Sequence, residues 1–580
     1  MLPAHLQQAA VMGGLAVLVV ELLRGRRAPA TVFGGLALVF ILLDLSTVSK
    51  ALASFTNPGL VAVVLLLLIS VVLDKSHLLE LLAEKLLSGS YRWALAKLYV
   101  ATAAYSAFLN NTAVVASLIG PLRTLRSHPA SRLLMPMCFA ASLGGVLTLV
   151  GTSTNLLVNS LGIGQGLPPL EIFDLFPVGA LLVFFCGSTM VVLYPWLLKV
   201  KPAQEETASD YFLEATVRPG SALEGRSVEE AGLRKLSHLF LAELVRDGRV
   251  LVPVQPDDVL QAGDVLVFTG DLTRLDLLTR IPGLETHGQH FKLPTDNLVE
   301  VLVSSTSTLI KRTIKEVDFR SRFDAAVIAV RRGSERLKGP IAHIPLEVGD
   351  TLVLCVGKDF EKHNNVQRNF VVVSERQVQK FTNPRSGLLA MGAFVGAVLL
   401  SALGVVEFLK ALLVLLVAFL ALGLAKPGDL RRNMPYGTMI IIASSLVISD
   451  VMVSSGAAKV MAGFLMGGVE SYGPYATLAV LLLVTWLLTE LMSNNAAAAL
   501  AFPVALGAAQ ASNLDPQPFV MAVLYGASCS FLTPYGYQTN LMIMSPGRYT
   551  LGDYVRTGGP VAAVYLVVAA VSIPVFFPFR

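Results

Sequence analysis

The sequence predicts an α-helical polytopic membrane protein made of two inverted repeats, each with five crossings and one re-entrant hairpin, with a tandem α+β cytosolic domain inserted between them. Three observations predict it. Hydrophobic residues fill 54% of the 580 positions and charged residues only 15%, for a mean hydropathy of +0.66, too few polar groups to cover a water-facing surface. Apolar stretches long enough to cross a bilayer recur in one order at both ends of the chain. Of the 45 Lys and Arg residues, 24 crowd into 201–381, which marks that segment as soluble.

The first repeat, 1–200, carries apolar stretches at about 9–23, 31–45, 57–73, 132–160 and 174–198, and one at about 94–122 interrupted by Leu109-Asn110-Asn111-Thr112. The second, 382–580, carries them at about 387–404, 406–424, 437–453, 517–546 and 558–578, with an interrupted one at about 475–508. A backbone break at membrane depth survives only inside protein or beside a cavity, so 94–122 and 475–508 read as re-entrant hairpins. Five crossings then remain per half. An odd number inverts the second half relative to the first.

Charge bias orients the chain. With the insert in the cytoplasm and both termini outside, 18 Lys and Arg flank the spans on the inner side. Only Lys50, Lys410, Lys459 and Arg580 lie outside, as the positive-inside rule requires. The N-terminus has no basic run before its apolar stretch and no small-residue cleavage site, so a retained first helix is expected. The expected location is a prokaryotic plasma membrane. A net charge of only +5 offers no electrostatic case for nucleic acid.

The insert repeats internally. Gly263-Asp264 opens GDVLVFTGD and Gly349-Asp350 opens GDTLVLCVGKD, 86 residues apart, and Ser221 and Ser307 open a second matching pair at the same offset. Alternating apolar strands ending in Gly-Asp turns predict two small α+β modules, 208–290 and 291–375. They resemble the RCK C-terminal (TrkA-C) domain. That resemblance implies binding of a small cytosolic ligand, a nucleotide among the candidates, and dimerisation. No strand-linked dinucleotide motif precedes them, and GIGQG at 162–166 reads as a flexible turn.

Two polar clusters recur in each half. SAFLNNT at 106–112 precedes GTSTN at 151–155, and TELMSNN at 489–495 precedes GYQTN at 536–540. Asn111 to Gly151 spans 40 residues and Asn494 to Gly536 spans 42. A hairpin tip and a broken helix leave backbone groups unsatisfied at mid-membrane. Free carbonyls with Ser, Thr and Asn oxygens form a hard oxygen cage for a small cation, while N–H groups at helix starts suit an anion. None of the four motifs contains Lys or Arg, so bound cations must offset the anion's charge.

On these motifs both membrane halves, about 400 residues, resemble the divalent anion–sodium symporter family of dicarboxylate, citrate and sulfate carriers. The resemblance implies a first sodium site at Ser106, Asn110, Asn111 and Gly151, and a second at Thr489, Met492 (backbone only), Asn494 and Gly536. It implies an anion site between Asn111, Thr112, Thr152 and Ser153 on one side and Asn494, Asn495, Tyr537 and Gln538 on the other, in a homodimer. This chain departs from the family where a Thr-Pro-Pro is usual after the glycine, with Thr152-Ser153-Thr154 and Tyr537-Gln538-Thr539 instead. Added hydroxyls and a bulky Tyr favour a compact oxyanion, sulfate, over a four-carbon dicarboxylate. The expected activity is sodium-coupled symport with cytosolic ligand control. A dicarboxylate carrier and proton-coupled or exchange transport are the alternatives.

Other residues are weaker candidates. Glu490, beside the second hairpin tip, is expected either to assist cation or proton binding or to cap the hairpin. Asp44 and Asp74 read as solvated loop positions, and Asp450 as locally paired. TPYGY at 533–537 lacks the context of a potassium filter. Cys138, Cys186, Cys355 and Cys529 have neither metal-ligand nor disulfide spacing, and most read as small buried thiols. Nothing in the chain forms a nucleophile–base–acid set, a P-loop or a zinc spacing, so an enzyme is not expected.

Overall fold

A computed structural model describes residues 3–24, 27–73, 87, 89–125, 127–201, 213–233, 239–246, 249–251, 254–270, 281–286, 298–304, 307–333, 335–337, 341–357, 360, 366–372, 384–467 and 472–579. Asp74 and most of the linkers at 199–210 and 375–386 fall outside these. The chain forms two compact units. One comprises Met1–Lys199, Gln379–Asn540 and Leu551–Arg580; the other comprises Val200–Val378 together with Leu541–Thr550.

The first unit is helical. Its N-terminal half runs α1 Ala4–Arg24, α2 Pro29–Leu42, α3 Val48–Phe55, α4 Pro58–Leu73, α5 Tyr91–Ser106, α6 Asn111–Thr124, α7 Ala130–Gly145, α8 Ser153–Gly164 and α9 Phe176–Leu197. Its C-terminal half runs α10 Pro384–Ala402, α11 Phe408–Ala421, α12 Pro427–Arg432, α13 Tyr436–Ser454, α14 Ala457–Met466, α15 Pro474–Leu491, α16 Asn494–Ser512, α17 Gln517–Ser528, α18 Gln538–Met544 and α19 Leu551–Phe576. Among the described residues six helical segments are long and apolar enough to cross a membrane: α1, α3 with α4, α9, α13, α15 and α19.

Local chemistry sets the boundaries. Thr47 Oγ1 accepts from Lys50 N and caps α3, and Asn110 Oδ1 accepts from Thr112 N and caps α6. Proline opens α2, α4, α9 and α15, where its missing N–H costs nothing. The stretches expected at 132–160 and 517–546 are each two helices, parted at 146–152 and 529–537. Hydropathy passes over these breaks because neither carries a charged residue and apolar side chains such as Leu147, Leu149, Phe531 and Leu532 run through them.

The halves interlock. α2 packs on α13, and the equivalent pair α11 packs on α4; α9 lies against α19. Hydrogen bonds tie them across the core: Tyr525 Oη donates to Leu175 O at 3.0 Å and Cys138 Sγ to Asn540 Oδ1 at 3.3 Å. Asp450 does not pair locally. Its carboxylate receives Lys50 Nζ at 2.9 Å, a contact between residues 400 apart that sequence proximity could not reveal. All four cysteines are buried and unpaired.

The second unit holds two five-stranded antiparallel sheets. β1 Leu213–Val217, β2 Leu239–Arg246, β3 Arg249–Leu251, β4 Val265–Gly270 and β5 Leu284–Thr286 assemble in the order β3-β2-β4-β1-β5. β6 Leu298–Val303, β7 Ala325–Arg332, β8 Glu335–Arg336, β9 Thr351–Val356 and β10 Phe370–Val372 assemble as β10-β6-β9-β7-β8, the same topology. The 86-residue offset holds bond for bond. Arg246 grips buried Asp264 with two bonds of 2.8 and 2.7 Å, and Arg332 grips buried Asp350 with two of 2.8 Å. Each Asp also caps its own turn, through Gln261 N and Glu347 N.

The modules meet over Val267, Ala326, Ile328, Ala329, Val353 and Cys355. Glu243 intrudes on this apolar surface. Only 3% exposed, it accepts from Cys355 Sγ at 2.9 Å. Burial pushes its carboxyl above the usual range, against the weaker pull of the thiol bond; burial and the neighbouring carboxylate push the thiol up too. The folded unit therefore holds the Glu243 proton more tightly than the unfolded chain does. That contribution to stability is full below the ordinary carboxylate range and is lost as pH rises from there through the raised value of the folded unit. Glu243→Gln keeps the acceptor without the charge. It is expected to raise the thermal midpoint of the purified chain at about pH 7 and to leave it unchanged near pH 4, as read by scanning fluorimetry at both pH values.

Candidate functional site

Each half breaks its helices twice, and one set of side chains recurs around the breaks. Between α5 and α6, Ser106 Oγ lies 2.6 Å from the Asn111 amide; between α15 and α16, Thr489 Oγ1 lies 2.8 Å from Asn494 Oδ1. The Thr148 hydroxyl donates to Ala107 O, and Thr533 Oγ1 donates to Glu490 O at 3.0 Å. Asn155 Nδ2 donates to Gly145 O and Thr148 O at 3.0 and 2.9 Å. Asn540 Nδ2 does the same to Ser530 O and Thr533 O at 2.9 and 3.1 Å. One amide thus satisfies two carbonyls that a broken helix would leave bare.

The long final helix of each half seats the second break. A Cβ on Gly179 would stand 2.6 Å from Val146 O, and one on Gly558 would collide with Phe531 O. Only glycine lets α9 and α19 come this close. Motif spacing does not single out Thr148, Thr533, Gly179, Gly558 or Ser530, and it marks Asn155 and Asn540 only as ends of motifs. An internal alignment of the two halves carries the signal for all but Ser530, whose partner is Gly145.

Of the residues expected at the first cation site, Ser106, Asn111 and Gly151 come together. With its amide turned so that both ends are satisfied, Asn111 Nδ2 faces Ser106 Oγ at 2.6 Å and Gly151 O at 3.2 Å, and its oxygen faces the Tyr537 hydroxyl at 3.0 Å. The Asn110 side chain turns to its own helix start. It joins Gly151, Thr152 and Ser153 along a cleft whose other wall is apolar, from Val63, Leu66 and Phe394.

In the second half Thr489 Oγ1 gathers Asn494 Oδ1 and Ala527 O at 2.8 Å and Ser530 Oγ at 3.2 Å, a cluster of neutral oxygens in the buried core. Gly536 packs against Thr489 O, where a Cβ would lie 2.9 Å away. Met492, extended at φ −142° and ψ 178°, forms the break itself.

The two halves touch through the expected anion residues. Tyr537 reaches from the second half to Asn111, with its hydroxyl 3.0 Å from the Asn111 amide. Asn495 reaches the first half, with Thr154 Oγ1 donating to its Oδ1 at 3.0 Å and its Nδ2 lying 3.3 Å from Ser153 Oγ. Thr112 and Gln538 stand in the first turns of α6 and α18.

Glu490 replaces the Ala107 of the first half. It neither caps the hairpin entry nor stands free: its carboxylate accepts from Phe531 N, Leu532 N and Thr533 N, each at 2.9 Å. This latches the second break to the hairpin, with Oε2 within 3.3 Å of where a Cβ on Gly536 would sit.

Paired helix breaks lined by neutral oxygens within an apolar helical unit define a membrane transporter, not an enzyme. The family model for citrate transporters (CitMHS) matches residues 15–526, and the chain belongs to that family. It is 31% identical over 552 residues to a Chlamydomonas reinhardtii protein named for sulfur deprivation response regulation, covering 90% of this chain and 94% of the relative. An uncharacterized transporter of Synechocystis is 29% identical over 558 residues, 91% of this chain and 90% of that one. Sodium/sulfate cotransporter 1 of Chlamydomonas reinhardtii is 27% identical over 393 residues, 64% of this chain and 44% of that longer protein.

Glu490→Gln turns an amide N–H toward backbone N–H donors. Its expected cost is about 1–3 kcal/mol of stability, with uptake in proteoliposomes reduced about tenfold, which corresponds to about 1.4 kcal/mol. Asn540→Ala strips two buried carbonyls of their donor and is expected to lower the thermal midpoint more than Thr539→Val does. Equal midpoints would show that the amide brace carries no weight.

Proposed function

We propose that the protein is a secondary active carrier that couples sodium entry to uptake of a small divalent oxyanion, sulfate foremost. One observation carries the choice of anion: the Tyr537 phenol crosses from one half to Asn111 of the other, and a ring of that size between the halves suits a compact oxyanion better than a four-carbon dicarboxylate. The similarity to a sodium/sulfate cotransporter supports the same reading. Without Lys or Arg in the four motifs, a dianion held among neutral donors needs compensating cations close by.

In this reading Ser106, Asn111 and Gly151 hold one sodium ion, with Asn110 fixing the helix start beside them, and Thr489, Met492 O, Asn494 and Gly536 hold a second, with Ser530 as an added hydroxyl. The sulfate oxygens take donors from Thr112, Thr152, Ser153, Asn495, Tyr537 and Gln538, and from the backbone N–H groups at the starts of α6, α8, α16 and α18. The two sets of breaks belong to inverted repeats with re-entrant hairpins, and alternation between faces moves the paired sites as one body. The insert is cytosolic, resembles TrkA-C modules and adjusts transport when a small ligand, a nucleotide among the candidates, favours one state. The carrier works as a homodimer.

Purified protein in liposomes is expected to take up labelled sulfate at least tenfold faster with an inward sodium gradient than without one, and to prefer sulfate over succinate. Uptake driven equally by a proton gradient alone, or a preference for succinate, would overturn the reading. Tyr537→Ala is expected to narrow that preference about tenfold by enlarging the site, and Tyr537→Phe to keep it, as measured by kcat/KM for both anions.

A further inference from the structure

The second unit takes in ten residues from the membrane-helical sequence, Leu541–Thr550, which complete α18 and form the turn after it. The matching residues of the first half, in and just after α8, belong to the first unit. The duplication is therefore used unequally.

The contact is built from the Gly-Asp turn that the second module shares with the first. Thr351 Oγ1 donates to Ser545 Oγ at 2.7 Å, and both residues are buried. Gly349, at φ +83°, meets the backbone of Leu541; a Cβ there would lie 3.0 Å from Leu541 O. Gly333, at φ +60°, meets the Met544 side chain in the same way. Lys201 Nζ donates to Arg548 O at 2.7 Å. In the first module the counterpart of Thr351 is Val265, which has no hydroxyl, and Gly263, the counterpart of Gly349, faces open space.

α18 is only seven residues long, so displacing its end by even a small rotation moves its start. That start is Gln538, next to Tyr537. We infer that Gly349 and Thr351 are positioning residues for the second half of the anion site: the second module holds α18 by its C-terminal end and thereby sets where Tyr537 and Gln538 stand. Val265, at the position of Thr351, has no hydroxyl to make the same bond, so a change in the second module acts on the site through α18. The inference rests on the anion site proposed above for its functional meaning, but not for its geometry.

The test uses full-length protein in liposomes with a single reporter cysteine, Gln538→Cys, or Ser153→Cys in the first half. The native thiols are buried, so maleimide reports the introduced one. Thr351→Val, and Ser545→Ala from the other side of the bond, are expected to change labelling of the 538 reporter at least threefold and to leave the 153 reporter unchanged. Thr351→Ser is expected to match the parent at both. In otherwise native protein, Thr351→Val is expected to raise the KM for sulfate several-fold while kcat changes less than twofold, and Thr351→Ser to restore it. Equal labelling of the 538 reporter with and without the bond overturns the inference, and so does an equal change at both reporters, which marks general loosening. If the parent carries no sulfate, the functional reading fails while the labelling still decides whether the second module positions α18.

Discussion

A backbone that leaves its helix inside an apolar unit must have its polar groups satisfied by protein. The rest of this architecture follows from that constraint. Each unpaired carbonyl buried away from water costs about 1–3 kcal/mol, and each half has two breaks. The solution is the same in both: an asparagine beyond the break reaches back to two carbonyls, a threonine ties the break to the hairpin, and a glycine on the last long helix lets the backbone be covered. These bonds make the breaks rigid, so the oxygens and N–H groups left facing inward keep fixed positions. A site made of neutral dipoles depends on that rigidity, because each dipole is weak and only their alignment discriminates between ligands.

Departures from internal symmetry carry as much information as the symmetry itself. Alanine at 107 leaves the first hairpin without a carboxylate, whereas Glu490 binds three consecutive N–H groups of the second break. Three such bonds hold a carboxylate in place without a cationic partner. The second half thus presents a more tightly held break than the first. Thr152 and Tyr537 occupy equivalent positions but differ greatly in reach, and the longer side chain spans the seam between halves. Two similar motifs thus meet as two unlike sides of one seam.

The insert follows the same course. Its modules keep strand order, the Arg–Asp grip and the Gly-Asp turns at a constant offset, yet the residues facing outward from those shared elements have diverged. Glu243 stands where the second module has Ala329, and Thr351 where the first has Val265. A buried ladder tolerates little change in its backbone bonds, while the exposed edge of a turn is free to acquire a partner. Duplication supplied the scaffold, and divergence at a few surface positions supplied the specific contacts.

Much of this was legible in the linear chain. Composition and the order of apolar stretches point to a helical membrane protein interrupted by a sheet-forming segment, and repeated spacing places Asn111, Asn494, Gly151 and Gly536 at helix breaks, because lipid forbids unsatisfied backbone and the two halves keep similar intervals. The bracing residues were less legible: Asn155 and Asn540 look like ordinary polar helix residues until their amides are seen to span a gap of seven to ten positions. Three things were decided by tertiary structure alone. Thr154 meets Asn495, Lys50 meets Asp450, and Glu490 turns to the backbone at 531–533. Each of these is a pairing between distant segments, and the physical reason they were hidden is common to all. A sequence records which groups need partners, whereas the packing of helices decides which partners come within hydrogen-bond reach.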